Sequence, residues 1–279
     1  MKRILIILSA FTAMFWNLEN FFDFREGKNS KQRFYSKCEA VSKEIFRIEE
    51  EYGELPDVIG FAEIENSFVL KQLLSSTLLG KTDYAPVHYE SPDLRGIDCG
   101  LLYRKSKLIL LESKPCHIVD SSGTVLRTRD ILLADFEDCS GRRIDVLVNH
   151  HPSQIGGKTL PRMLAKARMQ YLCDSLAAFG GTIVCLGDFN EGPGWKCPGM
   201  KDLSEGLPRQ GSIRYNGQWE LIDRCYVSES CQARMEVFAD PAYTVPDNVH
   251  GGRKPRRSAQ GPRYLGGVSD HYPIIVQVK

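Results

Sequence analysis

The sequence predicts an α/β fold in which two β-sheets pack face to face and helices flank them. Three observations carry this expectation. Apolar runs of strand length recur at about 11–18, 57–63, 97–103, 108–119, 131–136, 143–150, 182–188, 220–228 and 272–278. Few helical segments separate them and strands do not alternate regularly with helices, which argues against a TIM barrel or a simple doubly wound sheet. The chain is also of ordinary globular composition, with 279 residues, 42% hydrophobic and 25% charged, enough for a sizeable core.

Two helices follow from periodicity. Phe34, Cys38, Val41, Ile45, Ile48 and Tyr52 recur at spacings of three and four until Gly53. Leu160, Leu164, Ala167 and Tyr171 do the same ahead of Gly180 and Gly181. A shorter helix is expected over 67–79, with Ser67 near its start. At the N-terminus, Lys2 and Arg3 precede an apolar run from Ile4 to Ala13. Residues 1–13 read equally as a signal-like segment or as part of a buried first strand, which leaves cytoplasmic and secreted or periplasmic locations open. Residues 14–279 read as one domain, expected to be a monomer, and no segment is long enough to be a convincing membrane span.

Net charge is +1, so no global field draws a polyanion and any such attraction must be local. The nine cysteines include no C-x-x-C pair, which argues against a finger-type zinc site. Cys99 and Cys185 lie inside apolar runs and read as buried thiols. A disulfide framework is not expected.

The informative pattern is at the strand ends. Run after run finishes in a polar residue: Asn17, Glu63, His150, Asp188 with Asn190, Asp223, and Asp270-His271 just before the last strand. One such residue after a strand is ordinarily a turn or cap. Six endings that converge would make one cleft. Glu63 follows a buried run, where an ionised carboxylate needs a partner. A hard cation such as Mg²⁺ is one such partner, with Asn17 and Asp270 completing the set; a turn position ahead of Asn66-Ser67 is the plainer alternative. For His271 the choice is a satisfied core histidine or an imidazole aimed at phosphate, its ring held by Asp223. Asp188 and Asn190, two apart, point the same way in an extended chain, as a proton acceptor and a water-orienting amide; a tight turn is the alternative. His150 and His151 face opposite ways, so at most one enters a cleft. Arg95 and Arg129 are candidates to grip a phosphate, and otherwise surface or ion-pair arginines. Arg253, Lys254, Arg256, Arg257 and Arg263 form a late basic cluster, read as a solvated flexible loop or as a device at the cleft mouth that steers a polyanion.

The segments FWNLEN, PDVIGFAEIEN, VLVNHHPS, LGDFN, LIDRCYVS and GVSDHYPI occur in that order. Together they resemble the endonuclease/exonuclease/phosphatase superfamily, which includes pancreatic-type DNase, abasic-site endonucleases, neutral sphingomyelinases and inositol polyphosphate 5-phosphatases. The resemblance runs nearly end to end. It implies a DNase I-like four-layer α/β/β/α sandwich with its site at one rim. It implies Mg²⁺ or Mn²⁺ held mainly by Glu63 with Asn17 and Asp270 nearby, and His271 on the phosphate supported by Asp223. Asp188 becomes the water activator, Asn190 and His150 become phosphate-side groups, and His151 is then structural. The implied reaction is in-line attack of water on phosphorus. DNA or RNA is the leading substrate; a small phosphomonoester, an inositol phosphate or a phospholipid head group is the alternative. A binding module without catalysis would show gaps in this set. Glu19 stands where some nuclease branches carry Asp and is not assigned to metal; Arg224 follows Asp223 where an aromatic is common.

Overall fold

The computed structural model describes residues 11–153, 159–207, 211–261 and 263–279. Residues 1–10, and with them most of the expected signal-like segment, lie outside the described residues. The chain begins with β1 (Phe11–Phe21), α1 (Lys31–Tyr52), β2 (Val58–Ile64), α2 (Ser67–Ser75), β3 (Tyr84–His88) and β4 (Asp98–Arg104). It continues through β5 (Leu108–Cys116), β6 (Ile131–Asp138), β7 (Arg143–His150), α3 (Thr159–Ala177), β8 (Thr182–Asp188) and β9 (Met200–Asp202). A hairpin, β10 (Ile213–Tyr215) and β11 (Gln218–Glu220), precedes β12 (Asp223–Ser228) and β13 (Ala233–Val237). Two small hairpins follow, β14 (Thr244–Pro246) with β15 (Arg253–Pro255) and β16 (Ala259–Gln260) with β17 (Arg263–Tyr264), before β18 (Ile274–Val278).

Two six-stranded sheets form, in the orders β13-β18-β1-β2-β4-β3 and β5-β6-β7-β8-β12-β9. Both are mixed: β1–β2 and β7–β8 pair parallel, while neighbours such as β1–β18 and β8–β12 pair antiparallel. Alternation along each strand sorts the core into layers. Ala13, Phe15, Val58, Val146, Val148, Val184, Leu186, Cys225, Ile274 and Val276 meet between the sheets. Met14, Trp16, Ile59 and Phe61 face α1 and α2 instead, and Leu147, Ile183 and Cys185 face α3. The product is the α/β/β/α sandwich.

Helix α1 keeps its predicted stripe: Phe34, Cys38, Val41, Ile45 and Ile48 are fully buried. Ser30 caps its start by accepting from the Arg33 N–H, and Gly53 ends it in the left-handed conformation at φ 85°. Asn66 caps α2; that helix stops at Ser75, and a 3-10 turn over Leu78–Lys81 follows. In α3 the periodicity found the helix but the wrong face. Leu160 and Tyr171 are 63% and 60% exposed, and Ala167 is also exposed. The stripe on β7 and β8 is Ala165, Met169, Leu172, Cys173 and Leu176, and the helix ends before the two glycines.

In the two large sheets three strands escaped the pattern, β3, β9 and β13, as did the short hairpin strands β10 and β14 to β17. β3 and β13 are the edges of the first sheet and β9 is an edge of the second, where one side of the ladder is unpaired and burial is incomplete. The expected strand at 220–228 starts only at Asp223, because Gln218–Glu220 pairs in its own hairpin. All nine cysteines are free thiols.

The sheet carrying the middle motif is closed by a glycine. Gly187 pairs with Asn149 across β7–β8, and a Cβ there would stand 2.2 Å from the Asn149 carbonyl oxygen. Gly187→Ala is therefore expected to destabilise the fold by about 1–3 kcal/mol, the usual scale of overpacking, read as a lower urea midpoint. An unchanged midpoint would show that the two strands separate at no cost.

Candidate active site

The site is the polar end of the layer between the sheets. Each strand that supplies it runs apolar, apolar, polar on one face: Ala13-Phe15-Asn17, Val146-Val148-His150, Val184-Leu186-Asp188, and, read backwards, Val227-Cys225-Asp223. Strand register then sets the residues side by side. Asp188 is paired with His150 on one flank and with Asp223 on the other.

Contacts between the sheets complete the cluster. The His271 Nδ1 lies 2.7 Å from Asp223 Oδ2. Asn17 Nδ2 donates to Asp188 Oδ2 at 3.0 Å, and His150 Nε2 stands 3.6 Å from that oxygen. His271 is held from several sides. Its N–H donates to Ser269 Oγ at 3.0 Å, that hydroxyl donates to the Asn17 carbonyl at 2.6 Å, and Trp16 Nε1 donates to the His271 carbonyl at 2.9 Å.

The acidic residues are aimed by irregular backbone. Among the described residues, five non-glycine residues have positive φ, and four of them line this cleft: Glu19, Asn20, Glu63 and Asn190, at 46, 54, 62 and 50°. The β1–β2 register shifts between Asn17 and Phe21, and the β2–β4 register shifts between Ala62 and Ile64. These bulges turn Glu19 and Glu63 out of the normal alternation and into the cleft. Glu63 Oε2 accepts from the Asn20 N–H at 2.6 Å and lies 3.4 Å from Arg95. Extended-chain parity between Asp188 and Asn190 does not hold. The strand ends at Asp188, whose Oδ1 accepts from the Asn190 N–H at 2.8 Å in a tight turn. Asn190 still lines the cleft, its amide donating to the His151 carbonyl at 2.9 Å.

Asn17, Glu63, Arg95, Arg129, His150, Asp188, Asn190, Asp270 and His271 all line one cavity of about 680 Å³, and Asp223 lies buried behind His271. His151 is buried against Phe189. Arg129 is held by Asp93 at 3.2 Å and by the His151 carbonyl at 3.0 Å, so it also pins the loop that presents Arg95. Sequence reasoning set Glu19 aside and offered Arg257 only as one of a basic cluster at the cleft mouth or in a solvated loop. Arg257 lies 2.6 Å from Glu19 and 3.2 Å from Asp270. The late basic cluster is accordingly not a free loop. Arg253 donates to the Thr244 carbonyl, Lys254 pairs with Asp247, and Arg256 donates to the Leu265 carbonyl. Lys37 was equally unforeseen. It sits on the buried face of α1 and donates to the Leu18 and Glu19 carbonyls; a lysine three residues after Phe34 on an apolar stripe was the available signal.

The charges are unevenly matched. Burial, with Asp270 beside it, raises the Glu19 carboxyl well above the usual range. Burial and then Asp223 raise Asp188. Burial opposes a charge on His271, but Asp223, Asp270 and Asp188 together outweigh it and hold the ring well above its ordinary value. Burial, reinforced by Arg129 and Arg95, keeps His150 well below it. The two imidazoles are thus pushed in opposite directions, His271 toward the charged form and His150 toward the neutral one. Asp223 Oδ1 and His150 Nδ1 are buried without a hydrogen-bond partner among the described residues. The carboxylates of Glu19, Glu63, Asp188 and Asp270 and the amide of Asn17 line the cavity together as an oxygen-rich donor set. That is the chemistry a hard divalent cation answers, and Asp188, Asp223 and His271 bring one potential ligand atom each within 4.8 Å of one another.

Fold and site together define an α/β sandwich with an acidic, histidine-bearing cleft across one rim. The chain belongs to the Endonuclease/Exonuclease/phosphatase family, whose sequence profile matches residues 12–279. Family members of this fold include hydrolases of phosphoester bonds. Similar solved structures agree in fold. An endonuclease/exonuclease/phosphatase family protein from Bacteroides thetaiotaomicron has a TM-score of 0.66 at 17% identity, covering 96% of this chain and 97% of that one. The human Nocturnin catalytic domain has a TM-score of 0.66 at 16% identity, covering 96% and 94%. A mannosyl-6-phosphatase from Bacteroides thetaiotaomicron has a TM-score of 0.65 at 17% identity, covering 96% and 99%. No curated protein matches the chain in sequence.

The opposed histidines give a direct measurement. Ring ¹⁵N shifts at pH 7 are expected to show His271 doubly protonated and His150 neutral, with Asp223→Asn returning His271 toward its ordinary 6.5. The sign for stability follows: the His271–Asp223 pair contributes fully below 6.5 and is lost as pH rises through the elevated folded value. A neutral His271 at pH 7 would contradict this assignment.

Proposed function

We propose that the protein is a divalent-metal-dependent phosphoesterase that hydrolyses a P–O bond by in-line attack of water, with a phosphodiester of nucleic-acid type as its leading substrate. The observation that carries this reading is the His271–Asp223 pair at 2.7 Å opening into the same cavity as Asp188, Glu63, Asn17 and Asp270. A metal held by Glu63, Asp270 and Asn17 would, when bound, neutralise phosphate or leaving-oxygen charge. The protein's own groups supply the rest. Charged His271, fixed by Asp223, donates to the phosphoryl oxygens as negative charge grows on them. Asp188, its carboxyl raised by burial, accepts a proton from the attacking water. Asn190 orients that water, and neutral His150 donates to phosphate from the far side.

A diester is supported by the cleft's other wall. Leu94, Leu126, Ile213 and Tyr215 line it, and Leu94 and Tyr215 are 76% and 58% exposed. Such a wall suits an organic group carried beside the phosphate. The second reading, a small phosphomonoester, is favoured by Arg95 and Arg129 at the same cleft, which would match the extra charge of a terminal phosphate.

The deciding assay compares plasmid DNA, abasic oligonucleotide, bis-p-nitrophenyl phosphate and p-nitrophenyl phosphate with Mg²⁺ or Mn²⁺. DNA cleavage abolished by EDTA is expected; turnover of the monoester alone would select the second reading. His271→Ala and Asp188→Ala are each expected to reduce turnover by on the order of 10² or more, and wild-type rates would remove that residue from the mechanism. Glu63→Gln is expected to shift the metal titration of activity to higher concentration; an unmoved titration would count against Glu63 as ligand.

A further inference from the structure

We propose that His88, Glu90 and Asp98 form a second metal site, separate from the catalytic cleft, that takes a zinc-class cation. One donor atom from each of the three lies within 4.8 Å of the others, and none of the three lines the catalytic cleft. Strand parity puts a sheet between the two places. Val87, Cys99 and Leu101 pack in the layer between the sheets, so His88 on β3 and Asp98 on β4 stand on the opposite face, where Tyr84 and Leu102 pack toward the helices. His88 is paired with Gly100, two residues beyond Asp98 on that same face. Imidazole and carboxylate are therefore diagonal neighbours on adjacent strands.

The His88 side chain is 3% exposed, and its Nε2 makes no hydrogen bond among the described residues. Asp98 Oδ2 stands 3.2 Å from that nitrogen, close to it but without the alignment of a hydrogen bond. The separation matches two ligands of one ion: donors about 2.0 Å from a tetrahedral centre lie about 3.3 Å apart. The other carboxylate oxygen is already engaged. Asp98 Oδ1 accepts from the Ser91 N–H at 2.9 Å and from the Ser91 hydroxyl. Those two bonds fix the carboxylate and leave Oδ2 turned to the ring, which is how ligating carboxylates are held. Glu90 reaches in from the solvent side, its Oε1 4.0 Å from His88 Nδ1. An imidazole with two carboxylates suits Zn²⁺ better than Mg²⁺, which favours oxygen ligands. An ion shared by His88 and Asp98 would also join the two ends of the 89–97 loop, which carries Leu94 and Arg95 into the cleft.

The test is Zn²⁺ binding to the full chain in excess Mg²⁺, followed by equilibrium dialysis with metal analysis and by competition with a chromophoric chelator. The wild type is expected to hold one more Zn²⁺ per chain than His88→Gln. Zn²⁺ that enters the catalytic cleft or binds a cysteine is common to both proteins and cancels from the comparison. Glu90 is exposed, so Glu90→Gln is expected to keep the fold, checked by circular dichroism, and to weaken that same ion by on the order of tenfold or more. The ring ¹⁵N signals of His88 are expected to move when Zn²⁺ is added. Equal Zn²⁺ counts in the wild type and His88→Gln, an unchanged affinity in folded Glu90→Gln, or unmoved His88 signals would overturn the site and leave His88 and Asp98 as a plain buried ion pair. The phosphoesterase reading stands or falls apart from this result, because no measurement here depends on turnover.

Discussion

The hydrogen bond between Asp223 and His271 joins the two halves of the molecule where it matters most. Asp223 opens β12 of the second sheet, and His271 precedes β18 of the first. Their 2.7 Å contact, with the Asn17–Asp188 bond beside it, crosses the gap that elsewhere is filled by apolar side chains. The sheets must therefore pack in one register for the site to exist. Core and site are one layer, apolar along its length and polar at its rim.

Such a rim is electrostatically expensive. Asp188, Asp223 and His271 are all nearly inaccessible to solvent, where a lone charge is strongly disfavoured. The arrangement keeps the cost down by making charges serve each other: Asp223 holds the proton on His271, and His271 opposes the rise of Asp188. Arg257 does the same for Glu19 and also pairs with Asp270. The left-handed backbone at Glu19, Asn20, Glu63 and Asn190 adds strain of about 1–3 kcal/mol per residue, which the surrounding ladders must offset. Strain concentrated in one cleft is what a site that over-determines its side-chain directions looks like.

Much of this was legible in the residues. The strand ends Asn17, His150, Asp188 and Asp223 each continue an alternating apolar series, so their common face could be read from parity alone. Helix α1 and its stop at Gly53 were equally clear. What failed did so for physical reasons. Edge strands β3 and β13 bury too little to show a pattern. Helix α3 carries apolar residues on its exposed face, Leu160 and Tyr171, so periodicity gave the helix and misplaced its stripe. The late arginines stayed open between a solvated loop and a device at the cleft mouth because the partner that fixes Arg257, Glu19, lies 238 residues away in sequence.

The sequence by itself determined the sandwich, the family and the set of polar strand ends, because alternation and ordered motifs are local properties of a chain. Only the tertiary structure decided that Asn190 sits in a turn, that bulges swing Glu19 and Glu63 into the cleft, and that Arg257 and Lys37 stand beside them. Those outcomes depend on backbone irregularities and on contacts between distant segments, whose energies are settled only when both sheets are in place.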